Sequence, residues 1–127
     1  MFHVNELTDE QARRVLDDQE LPDDLRNASR CTALVATQDW CPEWRSVKRW
    51  LSKYAKKGLP EDVDVTIYTV EYNKLPFFDD FRAMKEYTWQ NFFVPYIRYY
   101  VDGALVDESN RVGADRFVTT FRNSAAS

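Results

Sequence analysis

The sequence is poor in the residues that staple or metallate small proteins. Its 127 residues include two cysteines, Cys31 and Cys41, and one histidine, His3. That is too few for a disulfide scaffold or a structural zinc site, so a thiol that matters here is reactive or regulatory. His3 reads as a surface residue. Long apolar runs are also missing, and no stretch approaches the roughly 20 residues needed to cross a bilayer. Nor is there a basic excess: 17 Lys and Arg face 21 Asp and Glu, for a net charge of −4. Such a balance gives no global attraction to nucleic acid or to an anionic membrane. Residues Met1 to Asp18 carry no basic segment followed by an apolar run, so a cytoplasmic address is expected. There is no internal repeat, and only residues 124–127 read as a disordered tail. What is present is enough apolar material (44% hydrophobic, 15% aromatic) for the core of one domain over 1–127.

A helical N-terminal region is expected over 8–30. Thr8 and Gln11 have capping-box spacing, and Ala12, Val15 and Leu16 mark the helix behind them. Phe2 to Val4 reads as a short strand before it, and Leu21 to Leu25 as a turn with one helical turn. Thr32 to Thr37 is short, apolar and bounded by polar residues, as a buried central strand is. Pro42 suits the first position of a helix. Trp44, Val47, Leu51 and Tyr54 then recur at helical spacing, and Gly58 and Pro60 end the helix. Its other face, Arg45, Lys48, Arg49, Lys53, Lys56 and Lys57, reads as solvated. Val63 to Glu71 alternates as a strand does. Leu75-Pro76 opens a helix with Phe77, Phe78, Phe81, Met84 and Thr88 on one face, and the aromatic residues from Phe77 to Phe93 are expected mostly in the core. Asp102-Gly103 joins two strands as a hairpin, and Asp115 to Asn123 forms a last helix. Two strand–helix units followed by a hairpin predict an α/β fold with a mixed sheet and helices on both faces.

Cys41 follows the central strand and stands at the start of a helix, where free N–H groups and the dipole favour a thiolate. Arg45 adds to that field, while Asp39 and Glu43 oppose it. Cys31 precedes the same strand and reads as an inert, half-buried residue.

Three segments carry a resemblance. Trp40-Cys41-Pro42-Glu43-Trp44 resembles the Trp-Cys-x-x-Cys active site of thioredoxins. Val94-Pro95-Tyr96-Ile97, followed by Val101-Asp102-Gly103-Ala104, resembles that family's cis-proline strand and hairpin. Arg111-Val112-Gly113-Ala114 before the last helix fits as well. The resemblance runs from about Thr32 to Asn123 and implies a thioredoxin fold: three α/β/α layers around a mixed sheet of four or five strands. It implies a cis Val94–Pro95 bond, with Pro95 near Cys41 and Val94 as a backbone contact for an extended substrate. Cys41 becomes the expected catalytic residue, and Trp40, Pro42, Trp44, Val94, Pro95 and Phe93 the expected substrate contacts. The departures are specific. Trp44 stands where the family has its second cysteine, Val35 where it has a buried acid, and Thr69 where that acid has a lysine partner. Two functions remain open. One is thiol–disulfide exchange through the single Cys41, on a protein or peptide bearing a disulfide or thiol. It would use no prosthetic cofactor or metal and would be resolved by a low-molecular-weight thiol or a second protein. The other is a redox-inactive module that binds a peptide in an aromatic groove. A monomer that binds neither nucleic acid nor membrane is expected in both cases.

Overall fold

The computed structural model describes residues 2–58, 64–110 and 113–125. Pro60, Val63, Arg111, Val112, Ala126 and Ser127, used in the sequence reading, lie outside them. In chain order come β1 (Phe2–Glu6), α1 (Asp9–Asp18), α2 (Asp23–Arg26), β2 (Cys31–Thr37), α3 (Pro42–Lys57) and β3 (Val65–Glu71). A 3-10 turn at Tyr72–Lys74, α4 (Phe78–Ala83) and a π-helical turn at Met84–Thr88 follow, then β4 (Tyr96–Val101), β5 (Ala104–Ser109) and α5 (Ala114–Ala125).

The local chemistry explains most of these bounds. Thr8 Oγ1 accepts from the Gln11 N–H at 3.1 Å while Gln11 Oε1 accepts from the Thr8 N–H at 3.0 Å, closing the capping box of α1. Asp102 and Gly103 have φ of 51° and 81°, the left-handed pair that a two-residue hairpin between β4 and β5 demands. Two expectations need correction. Ser124 and Ala125, assigned to a disordered tail, belong to α5. The helix expected from Leu75 is split, and Thr88 is exposed rather than inward. The π turn causes this: the Trp89 N–H reaches the Met84 carbonyl five residues back, so Trp89 takes the inward place.

The five strands form one sheet in the order β1-β3-β2-β4-β5. β1 and β2 run parallel to β3, whereas β4 is antiparallel to both β2 and β5. Every residue of β2 is buried, as its central place requires. Alternation sorts its side chains into two cores. Leu34 and Ala36 face α1, α2 and α4, with Tyr68, Val70, Tyr96 and Tyr100 beside them. Ala33 and Val35 face α3 and α5, with Ile67, Ile97 and Tyr99. This is a three-layer α/β/α arrangement.

The α1 side holds a buried charge. Arg98 on β4 donates to Glu20 at 2.7 Å and to the hydroxyls of Tyr96 and Tyr100, each at 2.9 Å. Its guanidinium stacks 4.5 Å from the Trp89 ring centroid. Tyr100 in turn donates to Glu20 and Tyr96 to Glu108, the residue paired with Arg98 across the strands. All five side chains are thereby satisfied by one another.

Two outcomes follow from this architecture. Arg98→Met leaves Glu20 without its cation, removes one donor from each of two phenols, and lowers the unfolding free energy in urea by about 2 kcal/mol; adding Glu20→Gln restores part of that loss. No Cys31–Cys41 disulfide forms in the monomer. Cys31 opens β2 and Cys41 lies beyond its far end, so at roughly 3.3 Å per residue their Cα atoms stand far outside the 7 Å or so that a disulfide needs. Non-reducing mass spectrometry after mild oxidation checks this, and a monomer lighter by two hydrogens contradicts it.

Candidate functional site

The turn after β2 delivers Cys41. The Asp39 N–H donates to Asn73 Oδ1 at 3.0 Å, and the Asn73 amide returns a bond to Asp39 Oδ1 at 2.7 Å. Trp40 Nε1 donates to Gln38 Oε1 at 2.6 Å, and Gln38 donates to the Tyr72 hydroxyl at 3.2 Å. The turn is thus tied to the segment after β3. Cys41 is the N-cap of α3, with Pro42 in the first turn of that helix. Cys41 is 4% exposed, and its thiol donates to the Val94 carbonyl at 3.6 Å. The bond from Val94 to Pro95 is cis. Thiol, Val94 and Pro95 therefore meet where the end of β2 approaches the start of β4.

A groove of about 340 Å³ opens over this point, lined by Trp40, Cys41, Pro42, Glu43, Phe92, Phe93 and Val94. A second hollow of about 410 Å³ continues it past Glu43, Phe93 and Val94 to Asn110. The groove's rim is aromatic and wet. Trp40 is 58% exposed, Phe92 61% and Phe93 71%, and Tyr87 sets its ring edge-on to Phe92 at 6.2 Å. Of the aromatic residues from Phe77 to Phe93, expected mostly in the core, Phe81 and Trp89 are buried and Phe77 and Phe78 pack against the core, whereas Tyr87, Phe92 and Phe93 are exposed.

Of the expected contact residues, Trp40, Pro42, Val94 and Phe93 line the groove with Cys41. Pro95 is buried beneath it. Trp44 is not at the site. It is 2% exposed, packs in the α3-side core, and donates its indole N–H to Glu71 at 2.8 Å. The reason is helical geometry: Trp44 lies on the same inward stripe as Val47 and Leu51. Burial alone would push the Glu71 carboxyl up, but hydrogen bonds from Lys74 and Trp44 hold it below the usual carboxylate range. Val35 and Thr69, paired across β2 and β3, put no ionisable group on the sheet at those positions. Cys31 is buried in the same core, and burial pushes its thiol up.

Sequence reasoning missed the residues that hold the groove's rim. Lys85 is 0% exposed. Its ammonium donates to the carbonyls of Phe93 at 2.8 Å and Asn91 at 2.9 Å and to Asn91 Oδ1 at 3.1 Å, and sits 5.5 Å from the Tyr96 ring centroid. Asn91 and Asn110 exchange amide bonds at 2.8 and 2.9 Å. Asn110 also donates to the carbonyls of Phe93 and Pro95, each at 3.1 Å. A signal was present: Lys85 falls four residues after Phe81 on the inward stripe of the helix expected from Leu75, where a charge must find buried acceptors.

Burial pushes the Lys85 amine down to about 8, against an ordinary value of 10.5, with Glu86 opposing part of the shift. The unfolded chain therefore binds more protons between those values, and this group's contribution to stability rises with pH across them. Tyrosine and cysteine ionisation act in the other direction, so the difference from Lys85→Met isolates the effect. Between pH 8 and pH 10 that difference moves by about 2 kcal/mol toward the wild type in urea titrations; an unchanged difference shows that the amine is not buried as a charge.

Among the described residues no cluster of three or more His, Cys, Asp and Glu side chains could hold a metal ion. No helix among them is long and apolar enough to cross a membrane. No protein-family model matches the sequence, and no curated protein matches it. Solved structures do match the fold. Thioredoxin O2 from Arabidopsis thaliana superposes with a TM-score of 0.63 at 17% identity, over 94% of this chain and 92% of that one. The Schistosoma mansoni thioredoxin pre-protein gives 0.62 at 11% identity, over 95% and 97%. A putative oxidoreductase with a thioredoxin fold gives 0.55 at 13% identity, over 92% of each. With its strand order and helical layers, the chain has the thioredoxin fold.

Proposed function

We propose that the chain is a thioredoxin-like thiol–disulfide oxidoreductase that works through Cys41 alone. The observation that carries this reading is the placement of one sulfur, at the N-cap of a 16-residue helix, in the wall of a groove and beside the Val94 carbonyl. A thiolate there has the N–H groups of the first helical turn in front of it. In the first step the Cys41 thiolate attacks one sulfur of a partner's disulfide. A Cys41–partner disulfide forms, the partner's S–S bond breaks, and the other sulfur leaves as a thiolate. In the second step a low-molecular-weight thiol attacks the mixed disulfide. Cys41 returns as a thiolate, and the partner, a protein or peptide, leaves joined to that small thiol. With Trp44 in place of a resolving cysteine, the second step needs this outside thiol. No prosthetic group takes part, and a monomer in a reducing cytoplasm suffices.

A second reading, a peptide-binding module without redox chemistry, is favoured by one observation: Cys41 is buried while Trp40, Phe92 and Phe93 stand open. Exposed rings grouped around one cleft are a usual mark of recognition.

Reduction of 2-hydroxyethyl disulfide in the presence of excess glutathione separates the two. Cys41→Ser abolishes the catalysed rate, and Cys31→Ser leaves it within about twofold. If wild type and Cys41→Ser are equally inactive, the redox reading fails and the binding reading takes its place. Trp44→Cys supplies the missing second thiol, but removes a buried indole and the Glu71 bond, at a cost of about 3 kcal/mol. Insulin reduction by this variant has to be read beside its urea midpoint.

A further inference from the structure

The rim of the groove is exposed in its side chains and anchored in its backbone. Phe92 and Phe93 are exposed, yet the polar contacts of the Asn91–Phe93 segment run inward. The Phe93 carbonyl takes two donors, Lys85 Nζ and Asn110 Nδ2, and the Phe93 N–H donates to Asn91 Oδ1 at 3.2 Å. The Asn91 carbonyl takes a second proton of the same ammonium. A fully buried lysine is costly, and this one holds only neutral oxygens in a three-residue segment that carries two open rings. Rings fixed on an anchored backbone lose little freedom on contact, which is what a preorganised recognition surface requires. The opposite wall is likewise fixed, since Trp40 is held by Gln38.

Charge narrows the occupant further. Glu43 lines both hollows, and Asp39 lies next to Trp40 in the turn that delivers Cys41. An anionic group in the groove would meet the acidic side chain of Glu43, whereas an uncharged apolar or aromatic group would lie against Trp40, Phe92 and Phe93.

We propose that the groove selects disulfides flanked by an uncharged aromatic or apolar group, and that Lys85 is the positioning residue that keeps the selecting rim in place. The proposal rests on Cys41 as the exchanging thiol. Lys85 touches no reacting atom; it acts through the Asn91 and Phe93 carbonyls.

Three disulfides test it: 2,2′-dipyridyl disulfide (aromatic, uncharged), 5,5′-dithiobis(2-nitrobenzoate) (aromatic, anionic) and 2-hydroxyethyl disulfide (uncharged, without a ring). In each case the Cys41 thiolate attacks one sulfur, the S–S bond breaks, and the other half leaves as its thiolate. Each rate, measured in a Cys31→Ser background, is divided by the rate of N-acetylcysteine with the same reagent, which removes the reagent's own reactivity. The dipyridyl reagent is expected to be favoured about tenfold over each of the other two. Lys85→Met lowers the normalised dipyridyl rate more than the normalised hydroxyethyl rate and brings the preference to within about twofold of unity, whereas a loss of general structure would lower the rates together. Asn110→Ala, which cuts the other tie to Phe93 and Pro95 without touching the lysine, lowers the preference partway and serves if Lys85→Met does not fold. A wild-type preference near unity, or a folded Lys85→Met with the full wild-type preference, overturns the proposal. If Cys41 reacts with none of the three reagents, the redox reading fails first. Amide hydrogen exchange at Phe93 then still tests the anchor: protection about tenfold lower in Lys85→Met supports it, and equal protection overturns it.

Discussion

The guanidinium of Arg98 imposes a constraint that much of the fold meets. It sits in the middle of a buried strand, where an unpaired charge would cost more than a small domain can supply. Five neighbours from separate parts of the chain therefore converge on it. Glu20 comes from the α1–α2 connection, Trp89 from the segment after the π turn, Glu108 from β5, and Tyr96 and Tyr100 from either side on β4. Satisfying this one group sets the depth of β4 against the α1–α4 layer. Because β4 begins immediately after Pro95, it also sets where the floor of the groove lies.

A second buried cation repeats the logic closer to the surface. Arg98 organises side chains, whereas Lys85 organises backbone. The rim has no strand or helix of its own to satisfy its carbonyls, and the ammonium takes that part. The two are linked through Tyr96, whose ring lies beside Lys85 and whose hydroxyl accepts from Arg98. Burial pushes that phenol above its ordinary range, so it stays neutral and separates the two cations.

Local patterns explain how much could be read in advance. The capping box, the Asp102-Gly103 hairpin and the continuous apolar run of β2 each write their structure within a few residues, so they were legible. What was not legible depends on register over longer spans. A single π turn moved the inward position from Thr88 to Trp89 and took Tyr87 to the surface. Trp44 was placed at the thiol because it stands where a related motif has a cysteine. Its helical phase instead matches Val47 and Leu51, and it went to the core. Motif spacing located Cys41, Val94 and Pro95 because they lie at the ends of adjoining strands. It could not say which nearby ring faces the groove, since that depends on packing on the far side of each element.

The replacement of a cysteine by Trp44 has a consequence on both faces of α3. Inward, the indole fills the space below the first turn and spends its N–H on Glu71, which Lys74 also holds. The start of the helix is thereby fixed to the end of β3, and Cys41, one residue before that helix, is held in its N-cap position. Outward, no second sulfur competes for a disulfide formed at Cys41. The turn thus holds one thiol at the helix start and a buried anchor, Trp44, three residues on. On the proposed mechanism a disulfide made at Cys41 would wait for a thiol arriving from solution, past a rim of exposed rings. On that mechanism the lifetime of the mixed disulfide would depend on access over Trp40, Phe92 and Phe93 as well as on sulfur chemistry.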